Sequence, residues 1–312
     1  MQLTTFTQKL ALMKTITNIL KTITILSRKL SEFPKTVEYL TALYRDIIET
    51  NISSHNQKFW QNHERVLQEI SRVSGLSGQG IYQELKTLQI SRSRCQNRLK
   101  EESSESQFTA VCKEIYEQDT YPILEHFYYA HTLHALKRKE FTLQQIKAMD
   151  TGVLKICDLG VGPGVILSAV LLDQENWRGY GIDISSKCVE YAQKMMALYH
   201  LNDRAKIEQA DVRSTSYSDE TFDVVIASEV LEHLPEPMEG LRELARILKS
   251  NAFAIVSLPI QLPQPEHLYV FADEQEVRQA CSNVGLFIEH FETWKSGGAF
   301  VDCFILCKKV SK

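Results

Sequence analysis

The sequence predicts an α/β fold, with an open and mainly parallel sheet in its C-terminal half and an all-helical region before it. Three observations predict this. From Val153 onward, short apolar runs alternate with helical patterns, the signature of βαβ units. Before residue 150 the patterns are helical. A glycine loop, Gly160, Gly162 and Gly164, directly follows the first apolar run, where open α/β sheets bind ligands. The expected division is an all-helical cap or oligomerisation region over residues 1–150 and a sheet core over 151–312.

Composition limits the possibilities. The chain has 312 residues, enough for one large or two moderate domains, and its 44% hydrophobic and 24% charged content is that of a globular protein. A net charge of −4 gives no general pull toward nucleic acid or an anionic membrane. With no run of 18 apolar residues, no membrane span is expected. Seven cysteines, without a Cys-x-x-Cys pair, point to a reducing, cytoplasmic setting with neither structural zinc nor disulfides.

Residues 1–31 lack Asp and Glu and carry seven Thr and five basic residues, a composition shared with organelle transit peptides. However, Leu12, Ile16, Ile19, Ile23, Leu26 and Leu30 alternate spacings of four and three, which argues for a packed helix. That seam would serve either a homodimer or packing within one chain. Further helices are expected over Lys35–Glu49, Asn56–Arg72 and Ile81–Lys100, followed by a polar loop, Glu101–Ser106. Phe108–Lys139 is helical again, broken near Pro122 and rich in aromatics at Tyr116, Tyr121, Phe127, Tyr128 and Tyr129.

The core follows in order. Val153–Leu159 is an apolar run of central-strand length. Pro163 suits a first helical turn, and a helix is expected over Gly164–Leu172. Strands are expected at Tyr180–Ile184, Lys206–Asp211, Phe222–Ser228 and Ala252–Leu258. The intervening helices run from the Ser185 cap to Leu201 and from Pro237 to Lys249. A last helix, Asp273–Asn283, stops at Gly285, and a hairpin pairs Phe287–Trp294 with Phe300–Cys307 around Gly297 and Gly298.

The loop's spacing tells what it holds. A dinucleotide fingerprint needs glycine at its sixth position, which here is Val165. No Lys-Ser or Lys-Thr follows, so the loop is not a phosphate-cradling P-loop either. Asp158, just before the loop, would repel a pyrophosphate and attract an ammonium group. Asp183 lies 19 residues after Gly164, the usual place for an acid that binds ribose hydroxyls, and Asp211 ends the third strand. The buried run FDVVIASEVLEHL then passes from a fourth strand into a polar lip.

These features, in this order, resemble the class I S-adenosylmethionine-dependent methyltransferases over roughly Val153–Lys308. The resemblance implies a Rossmann-like seven-stranded sheet of order 3-2-1-4-5-7-6 closed by an antiparallel hairpin. It implies S-adenosylmethionine as cofactor, with Gly160, Gly162 and Gly164 against its methionine and ribose and Asp158 near its ammonium. Asp183, followed by Ile184, would accept both ribose hydroxyls. Asp211 would accept from the adenine amine, the Val212 N–H would reach a ring nitrogen, and Ser228 would complete the set. Val161 departs from the family, which often has Cys, Thr or Ser there.

A methyltransferase chiefly aligns its acceptor and excludes water. His233 is the candidate general base, with Glu229 and Glu232 on the same lip, one to orient it and the other to cap the next helix. The acceptor pocket is expected to be closed by Tyr116–Tyr129, Pro259–Tyr269 and Ser296–Phe300. An O or N of a small aromatic or apolar metabolite fits this reading. An alternative notes that Glu229, Glu232, His233 and His267 resemble the metal set of small-RNA 3′-end 2′-O-methyltransferases. Against it, nine acidic residues and one basic residue lie between Glu208 and Glu239, so the main reading has no nucleic-acid partner and no resident metal. A third reading is a non-catalytic cofactor-binding subunit.

Overall fold

In the computed structural model, residues 56–78, 114–131, 133–149, 152–264, 266–295 and 301–310 are described, together with residues 80, 81, 83, 84 and 111. The chain divides into two compact units, Met1–Gln61 and Asn62–Lys312. The expected seam of residues 12–30, the helix Lys35–Glu49, the loop Glu101–Ser106 and the Gly297-Gly298 turn lie outside the described residues.

The described elements are α1 (Asn56–Ser74), α2 (Tyr121–His131), α3 (Leu133–Ala148), β1 (Lys155–Leu159), α4 (Val165–Asp173), β2 (Arg178–Asp183), α5 (Ser186–Leu198), β3 (Ala205–Gln209), β4 (Phe222–Ser228), α6 (Pro237–Ile247), β5 (Leu248–Ile260), α7 (Glu274–Asn283), β6 (Leu286–Trp294) and β7 (Val301–Lys309). They form one seven-stranded sheet, β3-β2-β1-β4-β5-β7-β6. Strands β1 to β5 pair in parallel, and β7 runs antiparallel to both β5 and β6.

Alternate residues of the central strands serve opposite faces. Ile156, Val224 and Ile226 join Leu167 and Val170 of α4, Ala192 and Met196 of α5, and Phe141 of α3. Cys157, Val225 and Ala227 join Leu241 and Leu244 of α6 and Val277 of α7. A strand buried on both faces must be apolar throughout, so these runs do not alternate with polar residues. Among the described residues no helix is long and apolar enough to cross a membrane.

Several boundaries differ from expectation. Val153 is exposed and strand β1 starts only at Lys155, although Leu154 before it is buried. Helix α3 continues to Ala148, not Lys139, because Phe141 and Ile146 still face the sheet. Helix α4 begins at Val165 rather than Gly164, which is left-handed at φ 81° and caps it. Pro163 therefore lies in the turn. Strand β5 begins directly after α6, with no intervening loop.

Candidate active site

The site lies at the carboxyl ends of β1, β2 and β4. Gly160, Gly162 and Gly164 all have left-handed backbone, with φ of 75°, 51° and 81°. At Gly160 a Cβ would stand 2.4 Å from Val230 Cγ2, so only glycine lets the loop pass beneath the tip of β4. Gly162 is different, since nothing lies within 4 Å of where its Cβ would be. Its bare Cα borders open space, as a cradle requires. Helix α4 starts without a side-chain cap, which leaves its first-turn N–H groups to solvent or a ligand.

Asp183 ties this loop to the next turn. Its Oδ2 accepts the Gly162 N–H at 2.9 Å, and its Oδ1 accepts the Ser185 N–H at 2.9 Å. Burial pushes its carboxyl up to about 6, although those N–H donors oppose the shift. On the adjacent strand, Asp158 is buried, and its carboxyl is held well above the usual range by that burial and then by the Asp183 charge. Two enclosed carboxylates this close favour a ligand bearing positive charge and repel phosphate.

The remaining expected cofactor residues are placed less openly. The Asp211 carboxylate folds back on Arg213, accepting its N–H at 2.9 Å and its Nη2 at 2.8 Å. That hydrogen bonding, against partial burial, lowers the Asp211 pKa. Val212 is buried in the apolar core, and Ile184 is an exposed apolar side chain. Ser228 Oγ pairs with Ser257 Oγ at 2.8 Å across β4 and β5.

Beyond β4 the chain enters the acidic lip. Glu229 has φ 55°, a left-handed position that a non-glycine side chain rarely adopts. A short 3₁₀ turn, Leu231–His233, follows. Neither carboxylate plays its expected part. Glu229 Oε2 lies 2.9 Å from Nη1 of the buried Arg138, an ion pair without hydrogen-bond alignment. Glu232 is buried with no hydrogen-bond partner for either carboxylate oxygen. Burial, followed by the Glu229 charge, raises its pKa well above the ordinary value. His233 is instead oriented by the Glu266 carbonyl, 2.9 Å from its Nδ1, with the Tyr116 hydroxyl 3.2 Å from the same nitrogen. A carbonyl only accepts, so the proton sits on Nδ1 and the lone pair on Nε2.

Two further residues complete the lip, and sequence reasoning missed both. Arg138 lies 5.8 and 5.7 Å from the ring centroids of Tyr128 and Tyr129. Burial works against its charge, but Glu229 and the two tyrosines keep its pKa above the ordinary value. Asp302, at the start of β7, is buried and raised to about 7 by burial and the nearby Glu229 charge. Its signal was an acid inside the apolar run VDCFILC. Arg138 gave none, because KRKE reads as a solvated charge run.

One segment spans both halves of the site. Ser185 Oγ donates to the Tyr116 carbonyl at 2.7 Å while accepting the Cys188 N–H at the start of α5. Glu117 accepts the Ser186 N–H and hydroxyl at 3.0 and 2.7 Å. The Tyr116 ring packs edge-on to His233. Tyr116 and Glu266 thus border the lip at His233, while 296–300 lies outside the described residues.

A Rossmann-like sheet with an open glycine loop, an acid ending β2 and a polar lip after β4 defines the class I S-adenosylmethionine-dependent methyltransferases, and residues 157–256 match the model of a methyltransferase domain. The matched stretch runs from β1 into β5. The residues present fit S-adenosylmethionine, because the cradle at Gly162 is open and Asp183 lies beside it. The chain is 35% identical over 104 residues to 27-O-demethylrifamycin SV methyltransferase of Amycolatopsis mediterranei, covering 33% of this chain and 38% of the relative. It is 27% identical over 128 residues to the ubiquinone biosynthesis O-methyltransferase of Haemophilus ducreyi, covering 40% and 53%. The chain thus spans about a third to a half of the curated relatives it matches. Among solved structures, the [4+2]-cyclase SpnF aligns with a TM-score of 0.51 at 17% identity, covering 56% of this chain and 81% of that one. A geranyl diphosphate methyltransferase in complex with GPP and sinefungin aligns at 0.50 and 13%, covering 62% and 82%. A cyclase on this fold illustrates that the sheet alone does not set the reaction.

Proposed function

We propose that the protein transfers a methyl group from S-adenosylmethionine to an oxygen or nitrogen of a small, aromatic or apolar acceptor. The observation that carries this reading is the double anchor of Asp183, which fixes the open glycine loop and the β2–α5 turn around one carboxylate. When bound, S-adenosylmethionine supplies a methyl carbon on a positively charged sulfur; the acceptor's lone pair forms the new bond as the C–S electrons return to sulfur. Asp183 accepts the ribose hydroxyls, and Asp158 faces the ammonium. Asp211 is the adenine-side acid, and it must share its carboxylate with Arg213.

The acceptor sits against the lip. His233 offers one basic position, Nε2, because its Nδ1–H is given to Glu266. The acceptor's proton goes to that nitrogen, and Tyr116 holds the ring edge-on. Tyr128 and Tyr129 supply an aromatic wall, and Pro259–Tyr269 closes the far side. The acidic surroundings disfavour a phosphate backbone, which speaks for a metabolite over RNA.

Titration calorimetry of the full chain with S-adenosylmethionine and its demethylated product tests the reading. Saturable binding that Asp183→Ala weakens about a hundredfold is expected, from two lost ribose hydrogen bonds to a charged group at about 1.5 kcal/mol each. Absence of binding would remove it. With a competent acceptor, His233→Ala should slow turnover about 10²-fold or more while cofactor affinity holds.

A further inference from the structure

We propose that the methyl acceptor is a primary or secondary amine, held as its ammonium ion between the Glu232 carboxylate and Nε2 of His233. This rests on the methyltransferase reading and narrows its acceptor atom to nitrogen. Glu229, Glu232 and Asp302 gather around a single guanidinium, Arg138, and all but Glu229 are buried. The carboxylates outnumber the cation facing them, so the lip is short of positive charge where little water reaches it.

Glu232 shows where the missing charge belongs. Glu229 is committed to Arg138 at 2.9 Å. Glu232 is 1% exposed, and neither of its carboxylate oxygens has a hydrogen-bond donor among the other described residues. Buried carboxylates are normally paired or hydrogen-bonded. Its Oε1 faces His233 Nε2 at 3.9 Å, too far for a direct hydrogen bond. That nitrogen also carries a lone pair, because the Nδ1–H goes to the Glu266 carbonyl. A gap with acceptors on both sides lacks a donor. An ammonium nitrogen at about 2.8 Å from each atom bridges it, giving one N–H to each. It also brings positive charge to the same place.

The acceptor atom follows from the same charges. A hydroxyl reacts as it loses its proton, which builds negative charge beside these carboxylates. Nitrogen reverses the sign. The ammonium gives one proton to His233 Nε2, the freed lone pair forms the N–C bond, and the C–S electrons return to sulfur. Positive charge thus leaves sulfur and grows on nitrogen, and the product is an N-methylammonium ion. Glu232 and Asp302 stabilise that charge as it forms, which lowers the barrier. The carboxylates that disfavour a phosphate backbone therefore favour an amine on an aromatic or apolar frame.

The test uses the full chain, saturated with the demethylated cofactor and titrated calorimetrically with matched compounds: phenethylamine against phenethyl alcohol, and hexylamine against hexanol. Each pair shares a frame and differs in charge. In at least one pair the amine should bind about tenfold or more tightly than the alcohol. Glu232→Gln keeps the side-chain volume and removes the charge, so it should weaken the amine about tenfold and leave the alcohol within about twofold. Glu289→Gln, exposed on β6, should change neither. The amine that binds should take up a labelled methyl group from S-adenosylmethionine on its nitrogen. A preference below about tenfold in both pairs would overturn the proposal. So would unchanged amine binding in a folded Glu232 variant, a bound amine that is never methylated, or transfer to an alcohol in preference to its amine. The comparison within each pair needs no variant, so it decides the matter even if Glu232→Gln unfolds the lip. Failure of the demethylated cofactor to bind would instead count against the methyltransferase reading.

Discussion

Asp183 should make cofactor affinity depend on pH, and the dependence can be worked out from its surroundings. Its carboxyl stands at about 6 in the ligand-free protein. Ribose hydroxyls donate to the ionised form, so binding lowers the pKa and releases a proton. Affinity should therefore be level above pH 7 and fall as pH drops through 6. At pH 5 roughly a tenth of the carboxyl is ionised, a loss of about tenfold, or about 1.4 kcal/mol. Folding stability should move the other way. The folded value lies above the ordinary 3.8, so the charged form is penalised by the fold. Asp183 thus contributes a destabilisation that is fully present above about pH 6 and relieved toward pH 4. Calorimetry with the demethylated cofactor between pH 7.5 and 5, paired with melting of the ligand-free chain, measures both. The reasoning fails if affinity is flat over that range, or if Asp183→Asn keeps the same slope near pH 6.

Other outcomes follow from named contacts. Gly160→Ala and Gly162→Ala should separate: the first drives a Cβ into Val230 and should lower both melting temperature and affinity. The second meets open space, so it should cost only about 1–2 kcal/mol of backbone strain while filling the cradle and weakening cofactor binding. Arg138→Met leaves Glu229 and Asp302 without their cation; a loss of about 3–5 kcal/mol, on the order of ten degrees in melting temperature, is expected by calorimetric scanning. Ser185→Ala removes the α5 cap and frees the Tyr116 carbonyl, so about 1 kcal/mol of stability should go in denaturant titration.

The sheet was legible in the sequence because its signals are local. Apolar runs of strand length, caps such as Ser185 and stops such as Gly285 act over a few residues, and the strand order came with the family resemblance. The glycine loop and Asp183 were legible for the same reason, since a loop that must be left-handed demands glycine at fixed positions. The lip was legible only in part. The run ending in Glu232 and His233 marked the place, but the roles assigned there depended on contacts across long separations. Arg138 reaches Glu229 from a helix ninety-one residues earlier, and Glu266 orients His233 through a carbonyl that any residue would supply. A backbone oxygen carries no sequence signal. Asp211 shows the reverse limit: it was read as the end of the third strand, which stops at Gln209, and its pairing with Arg213, two residues on, was not foreseen.

The bonds from residues 116 and 117 to Ser185 and Ser186, with the Tyr116 hydroxyl beside His233, bear on the timing of a catalytic cycle. A nucleoside held by Asp183 would lie under a bridge with one footing beside its ribose and the other beside the acceptor. If spent nucleoside can leave only when a footing lets go, release rather than bond-making would pace the cycle. Turnover would then slow as the solvent is thickened with glycerol, and loosening the Ser185 footing would blunt that response.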